Sequence, residues 1–299
     1  MSQKTLLVIL GPTAIGKTAQ AIQIAQKLDT EIISADSRQF FREMNIGTAK
    51  PSEKELNAVK HHFINSHNIT DDFNVGDFEK NGIEILSEVF KTRDTAILVG
   101  GSGLYINAIC EGFDDLPKAD PSIRKQLNQQ LLSEGPGALR LQLKQLDPDH
   151  FEKVKDNPQR LIRALEVCIA TGRPFSSYHQ GQKKKRPFNC LKIGLNTDRK
   201  ELYERIDRRV DEMIDQGLAE EVRSLLPYRH LNALNTVGYS ELFAFFDGTM
   251  SFEKAVELIK QNTRRFAKRQ LTWFRRDPDI QWFEPGEDEK VLALIRSRI

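Results

Sequence analysis

The sequence has little of what would define several function classes. Its 299 residues hold three cysteines, Cys110, Cys168 and Cys190, widely separated and with no CxxC pair. That excludes a zinc ribbon and a disulfide framework, and fits a reduced, cytoplasmic setting. The opening apolar run, Leu6 to Leu10, is too short for a signal peptide or a membrane span. A formal charge of +2 excludes a uniformly basic nucleic-acid binder, so any RNA-binding surface has to be local. No repeat or low-complexity tract stands out. His61, His62 and His67 lack metal-ligand spacing and read as structural.

What is present is an ordinary globular composition, 39% hydrophobic and 29% charged. The first hundred residues alternate short apolar runs with helical patterns. Leu6–Leu10, Glu31–Ser34 and Ala96–Val99 read as buried strands, and Ala21, Ile22, Ala25 and Leu28 recur at helical spacing. Strands alternating with helices imply right-handed crossovers and a parallel sheet. From about Phe113 the pattern becomes helical, with loop signals at Pro117, Pro121, Gly135-Pro136-Gly137 and Pro148. Strand-like alternation returns at Leu191, Ile193 and Leu195, followed by a helical stripe of Leu202, Ile206, Val210, Met213 and Ile214. The expected architecture is an α/β core, residues 1–113 and 190–299, split by an all-helical insertion, residues 114–189.

Gly11-Pro12-Thr13-Ala14-Ile15-Gly16-Lys17-Thr18 fits G-x-x-x-x-G-K-[ST], directly after a strand and before a helix. The glycines let successive N–H groups point at phosphate oxygens, and the helix adds its positive end. Lys17 supplies a mobile charge and Thr18 a hydroxyl suited to Mg²⁺. Such a loop holds pyrophosphate groups and does not name the group transferred. The Ala96–Val99 strand ends in Gly100-Gly101 instead of the Mg²⁺-binding acid usual in ATPases. That weakens an ATPase reading and leaves a small-molecule kinase open.

Asp36, in Ser34-Ala35-Asp36-Ser37-Arg38-Gln39, follows the second strand, where open α/β sheets bind ligands. An acid there serves as a general base or metal partner, or equally as a cap for the next helix. Gly100-Gly101-Ser102-Gly103 after the third strand is either a close backbone approach with Ser102 as hydroxyl donor, or a plain turn.

GPTAIGKT (11–18), ISADSRQ (33–39), MNIGTAKP (44–51), VGGSGLY (99–105), NPQRLIRALEV (157–167) and TRRFAKRQLTWFR (263–275) together resemble the bacterial tRNA dimethylallyltransferases, in family order and over almost the whole chain. The resemblance implies a P-loop NTPase-like core that binds dimethylallyl pyrophosphate and a helical insertion that grips the tRNA anticodon stem-loop. The acceptor is then the exocyclic amine of the adenosine just 3′ of the anticodon. It implies that Gly11 to Thr18 (Gly11, Pro12, Thr13, Ala14, Ile15, Gly16, Lys17, Thr18) hold the pyrophosphate, with Mg²⁺ reached by Thr18. Asp36 is the implied base in a tRNA-contacting stretch with Ser37, Arg38 and Gln39. Ser102 stands where the family usually has Thr, with the hydroxyl kept. Gln159, Arg160, Leu161, Ile162 and Arg163 are implied tRNA contacts, as are Val237, Gly238 and Tyr239, and Arg124 is a further substrate contact. The family is often called ATP-binding for its loop, whose ligand is read here as the prenyl pyrophosphate. Departures are Phe40-Phe41 for an aliphatic–Tyr pair, Asn45 for Asp, and Thr236-Val237-Gly238-Tyr239-Ser240 for Cys-x-Gly-Tyr-Arg/Lys.

Independent support for RNA binding comes from residues 262–276. At about 100° per residue, Arg264, Arg265, Lys268, Arg269, Arg275 and Arg276 fall within roughly 140°, opposite Phe266, Ala267, Leu271, Trp273 and Phe274. With no acid in the stretch, one face suits the core and the other RNA phosphates. Asn157-Pro158 starts a second helix whose Gln159, Arg160 and Arg163 lie opposite an apolar stripe. Lys183–Arg186 reads as a solvated basic patch. The expected protein is therefore a cytoplasmic, monomeric prenyltransferase with Mg²⁺, dimethylallyl pyrophosphate and tRNA as partners and no membrane. A kinase would turn over ATP without tRNA, a prenyltransferase of free nucleotides would prefer AMP, and a non-catalytic RNA-binding module would leave the phosphate loop without a use.

Overall fold

The computed structural model describes residues 3–114, 116–117, 120–178, 181 and 183–299. The chain divides into two compact units, Met1–Glu111 with Lys185–Ile299, and Gly112–Lys184.

The larger unit is built on six strands: β1 (Thr5–Leu10), β2 (Ile32–Ser34), β3 (His61–His62), β4 (Thr95–Gly100), β5 (Asn189–Leu195) and β6 (Gln281–Phe283). Their order is β3-β2-β4-β1-β5-β6 and every pairing is parallel. The central strand β1 runs in register with β4 (Leu6↔Ala96) and β5 (Leu6↔Cys190). All six of its residues are buried because both faces of the sheet are covered. Leu6, Val8 and Leu10 enter one core with Phe78, Leu98 and Ile106, while Leu7 and Ile9 enter another with Ala21, Ile97 and Ile206. Truncating a fully buried Leu here to Ala costs about 2–5 kcal/mol.

The helices of this unit are α1 (Lys17–Lys27), α2 (Glu53–Ala58), α3 (Val75–Thr92) and α4 (Gly103–Cys110) before the insertion. The smaller unit consists of α5 (Pro121–Glu134), α6 (Pro136–Leu146), α7 (Pro148–Val154) and α8 (Pro158–Thr171). After it come α9 (Arg199–Asp215), α10 (Leu218–Ser224), α11 (Tyr239–Phe246), α12 (Phe252–Phe274) and α13 (Asp288–Arg296). In the smaller unit Pro121, Pro136 and Pro148, which read as loop signals, are first helical residues, where a missing N–H costs nothing, while Pro117 does lie outside the helices. Asp120, Asp147 and Asn157 cap three of these helices through their side chains. Leu127, Leu139, Leu143, Leu161 and Leu165 form its core. The Glu166 carboxylate is buried in it and neutralised by Arg124 and Arg163.

Three sequence expectations need correction. β3 and β6 were not legible, since they are two and three residues long and carry His-His and Gln-Trp-Phe instead of an apolar run. The basic helix is α12, which starts ten residues before Asn262 and ends before Arg275 and Arg276. Phe266 and Trp273 are exposed instead of facing the core, where Ala267, Gln270 and Phe274 take the buried positions.

Candidate active site

The carboxyl ends of β1, β2 and β4 open onto one cavity of about 550 Å³. Thr13, Lys17 and Thr18 reach it from the phosphate loop, Ser34, Asp36 and Gln39 from the β2 end, and Gly100 and Gly101 from the β4 end. In the loop, Gly11 has φ 150° and Gly16 φ 100°. A Cβ on Gly11 would also stand 2.5 Å from the Leu195 carbonyl oxygen, so this turn requires glycine. Ala14 is held left-handed at φ 64°.

Lys17 Nζ donates to the Pro12 carbonyl at 2.7 Å. Burial, reinforced by the Arg209 cation and opposed by Asp36, lowers the Lys17 ammonium to a pKa of about 7. Asp36 does two things at once. Its Oδ1 accepts from the Arg38 and Gln39 amides at 2.9 and 3.3 Å, capping a turn, and it lines the cavity. The cap expected on a helix is thus on a turn, because no helix follows β2 directly, and it leaves the carboxylate in the cavity wall. Ser102 Oγ accepts from the Ser37 amide at 3.4 Å and so ties that turn to the start of α4.

Two residues of the site escaped the sequence reading. Arg209, on α9, lines the cavity and donates to Thr13 Oγ1 at 3.4 Å. It shares a cavity-facing stripe with Arg205, Arg208 and Glu212, spaced i, i+3, i+4, i+7. The signal was available, since these residues alternate with the apolar stripe of Leu202, Ile206 and Val210. Gln270, on α12, is the second. Its Oε1 accepts from the Thr13 amide and its Nε2 donates to the Gly101 carbonyl, both at 2.9 Å. It thus pins the phosphate loop to the end of β4, and a Cβ on Gly101 would collide with its Nε2 at 2.3 Å.

Several expected RNA contacts have other partners. Leu161 and Ile162 are buried in the core of the helical unit and cannot meet RNA through their side chains. Gln159 and Arg160 are exposed there, while Arg163 donates to the Pro117 carbonyl at 3.2 Å. Arg124 makes a two-point pair with Glu166. Gly238 and Tyr239 are buried, so neither is an RNA-facing surface, and Val237 is half-buried. On α12 and just beyond it, Arg265, Lys268, Arg269 and Arg275 are exposed, but Arg264 pairs with Asp207 of α9. The acid absent from that stretch is supplied by its neighbour. Gln39 donates Nε2 to the Thr48 and Ala49 carbonyls at 3.1 and 3.2 Å and accepts from Ser34 Oγ at 3.2 Å, so its side-chain amide is engaged inside the protein.

A model of the IPP transferase family matches residues 39–277. The chain belongs to this family, the tRNA dimethylallyltransferases. A tRNA dimethylallyltransferase of Christiangramia forsetii is 57% identical over 297 residues, 98% of each chain. One of Flavobacterium johnsoniae is 49% identical, covering 97% of this chain and 96% of the other. The crystal structure of a tRNA isopentenylpyrophosphate transferase from Bacillus halodurans superposes with TM-score 0.73 at 35% identity, over 99% of this chain and 96% of that one. A eukaryotic dimethylallyltransferase acting on tRNA gives TM-score 0.82 at 26% identity, over 99% of this chain and 80% of that one. Among the described residues no helix is long and apolar enough to cross a membrane.

Two of the departures from the family pattern have well-defined partners here. Phe40 and Phe41 pack edge-to-face at 4.6 Å, and Phe40 packs likewise on Phe73 at 5.0 Å, within the core. Asn45 Oδ1 accepts from Lys50 Nζ at 3.0 Å, where burial lowers the Lys50 ammonium to a pKa of about 8.

Proposed function

We propose that this member of the family transfers the dimethylallyl group of dimethylallyl pyrophosphate to the exocyclic amine of the adenosine 3′ of the anticodon, releasing pyrophosphate. The observation that carries the reading is the convergence of the phosphate loop, Arg209 and Asp36 on one cavity.

Adenine's amine is a weak nucleophile because its lone pair is delocalised into the ring. The allylic carbon is a good electrophile because its developing cation is delocalised as pyrophosphate leaves. The protein therefore has to neutralise the leaving group and accept a proton. The loop amides, Lys17 and Arg209 surround the pyrophosphate. As the amine nitrogen bonds to the allylic carbon, the carbon–oxygen bond breaks and its electron pair stays with pyrophosphate. The Asp36 carboxylate takes the amine proton. Cavity walls limit water, which would otherwise capture the cation.

Mg²⁺ fits the donor chemistry in one way. Thr18 and Asp36 line the cavity, and among the described residues no group of three or more His, Cys, Asp or Glu side chains could hold an ion alone. An ion held at Thr18 would complete its shell with pyrophosphate and water oxygens and supply positive charge to the leaving group.

The exposed Arg265, Lys268, Arg269 and Arg275 and the helical insertion bind the tRNA anticodon stem-loop, and the adenine swings out of its stack to enter the cavity. Arg160 and Gln159 are the exposed candidates on the insertion. The enzyme acts as a monomer in the cytoplasm, where its macromolecular substrate resides.

The deciding experiment incubates bulk tRNA with labelled dimethylallyl pyrophosphate and analyses the nucleosides. Label in a prenylated adenosine is expected. ATP hydrolysis without tRNA, or preferential labelling of AMP, would refute the reading.

A further inference from the structure

Glu221 and Tyr239 lie outside the cavity lining, yet they join to it through consecutive hydrogen bonds. Glu221 Oε2 accepts from the Asn45 and Ile46 amides at 2.9 and 2.8 Å, and Oε1 from the Gly47 amide at 3.0 Å. The Tyr239 hydroxyl donates to the same Oε1 at 2.6 Å. Tyr239 is fully buried, and its ring lies so close to Gly47 that a Cβ there would stand 2.5 Å from Cε2. Burial, and then the Glu221 charge, push its hydroxyl far above the ordinary tyrosine range, so it stays a donor. One carboxylate thus gathers three successive amides and a phenol, a bonding pattern that fixes a loop.

The loop so fixed leads directly into the cavity. Thr48 and Ala49 are the next residues, they line the cavity, and their carbonyls accept from Gln39 Nε2. Ala49 sits at φ 46°, a left-handed conformation that a non-glycine residue keeps only where its surroundings hold it. The Gln39 amide in turn donates to Asp36 Oδ1. The path therefore runs from the α11 tyrosine through the α10 glutamate and loop 45–49 to the turn that carries Asp36.

We infer that Glu221 and Tyr239 are positioning residues of the transfer reaction, a latch that holds loop 45–49 and, through Gln39, the Asp36 turn. Buried as it is, Tyr239 acts through Glu221 and touches no RNA. The latch rests on the proposed function for its catalytic consequence and on amide protection for its existence, so the two can fail separately.

The test uses the full chain with Tyr239→Phe, which removes one oxygen, and Glu221→Gln, which removes the charge at constant shape. Single-turnover prenyl transfer at saturating tRNA, tRNA dissociation constants and hydrogen exchange of the 45–47 amides are measured in parallel. Hydrogen bonds to a charged group are strong enough that Glu221→Gln is expected to slow transfer and speed amide exchange, each about tenfold. Tyr239→Phe should do the same to a smaller extent, with tRNA affinity within about twofold in both variants. The double variant should lose little beyond Glu221→Gln, because both changes act on one network. Weakened tRNA binding with unchanged transfer at saturation would overturn the latch in favour of direct contact. Unchanged transfer and exchange in folded variants would overturn it outright. If Glu221→Gln fails to fold, Tyr239→Phe alone decides by the same readouts. A wild type without prenyl transfer refutes the proposed function, while the exchange measurement still decides whether Glu221 holds the loop.

Discussion

Arg209 Nη1 stands 3.4 Å from Thr13 Oγ1, so a cation on α9 meets the middle of the phosphate loop across 196 positions of sequence. Its guanidinium sits beside Lys17 closely enough to help depress that lysine. Two cations gathered on one cavity, with Asp36 only partly offsetting their charge, are a preorganised site for a dianionic or more highly charged group.

Arg209→Ala is expected to lower turnover about 10²–10³-fold, the loss typical for one preorganised donor at developing charge. Arg209→Lys should recover only part of it, since an ammonium cannot reproduce the planar fork. Equilibrium tRNA binding should stay within about twofold. Loss of tRNA affinity with intact turnover would move Arg209 out of the pyrophosphate site.

Lys17 provides a pH signature. With the free site at a pKa of about 7, the lysine is largely neutral above that pH, and a bound pyrophosphate would draw it back toward its ordinary 10.5. Binding then takes up a proton, and affinity for dimethylallyl pyrophosphate should fall up to about tenfold per pH unit above 7 and level off below it. The sign for the unliganded fold is the reverse of a paired lysine. The unfolded chain holds this proton more tightly, so stability from this group rises with pH between about 7 and 10.5. Calorimetry in buffers of different ionisation enthalpy measures the uptake, and Lys17→Ala should abolish it.

For Asp36→Asn, turnover should fall about 10²–10⁴-fold, the usual worth of a positioned base. The turn should survive, because the Asn oxygen can accept from the Arg38 and Gln39 amides as Asp36 Oδ1 does. A variant within a few-fold of wild type would leave the amine proton to water or to a pyrophosphate oxygen.

Reversing Arg265 and Arg269 to Glu should weaken tRNA binding and flatten its dependence on salt, since fewer counterions are released. Arg264→Ala should change the salt slope less than Arg265→Ala, because Arg264 is already paired with Asp207 while Arg265 is exposed. Equal slopes for the two would mean that RNA breaks the Asp207 pair.

The phosphate loop, the strand at Leu6–Leu10 and the turn at Asp36 were legible because each is local, resting on glycine geometry, an unbroken apolar run and a residue's place after a strand. Arg209 and Gln270 were not singled out because their roles depend on which elements lie beside the loop. Nothing within residues 252–274 says that Gln270 will face Gly101, and the pattern of α9 shows an apolar stripe without showing what its polar face meets. The same limit explains Tyr239. Its motif resembled an RNA contact, but only packing against Gly47 reveals that the ring is enclosed. Short polar strands such as His61–His62 carry no periodicity to read and exist because β2 offers them an open edge.

The sheet order carries a consequence for synthesis. β1 leaves the ribosome well before its neighbour β5, and the glutamine that pins its loop comes later still, 257 residues after Thr13. At about 5–20 residues per second, the phosphate loop waits on the order of 13–50 s for Gln270. During that interval the phosphate loop is unfinished, and for its earlier part, until β5 emerges, one edge of β1 is unpaired. A ribosome-stalled chain ending before Phe252 should therefore recruit chaperones, and one that has released α12 should not.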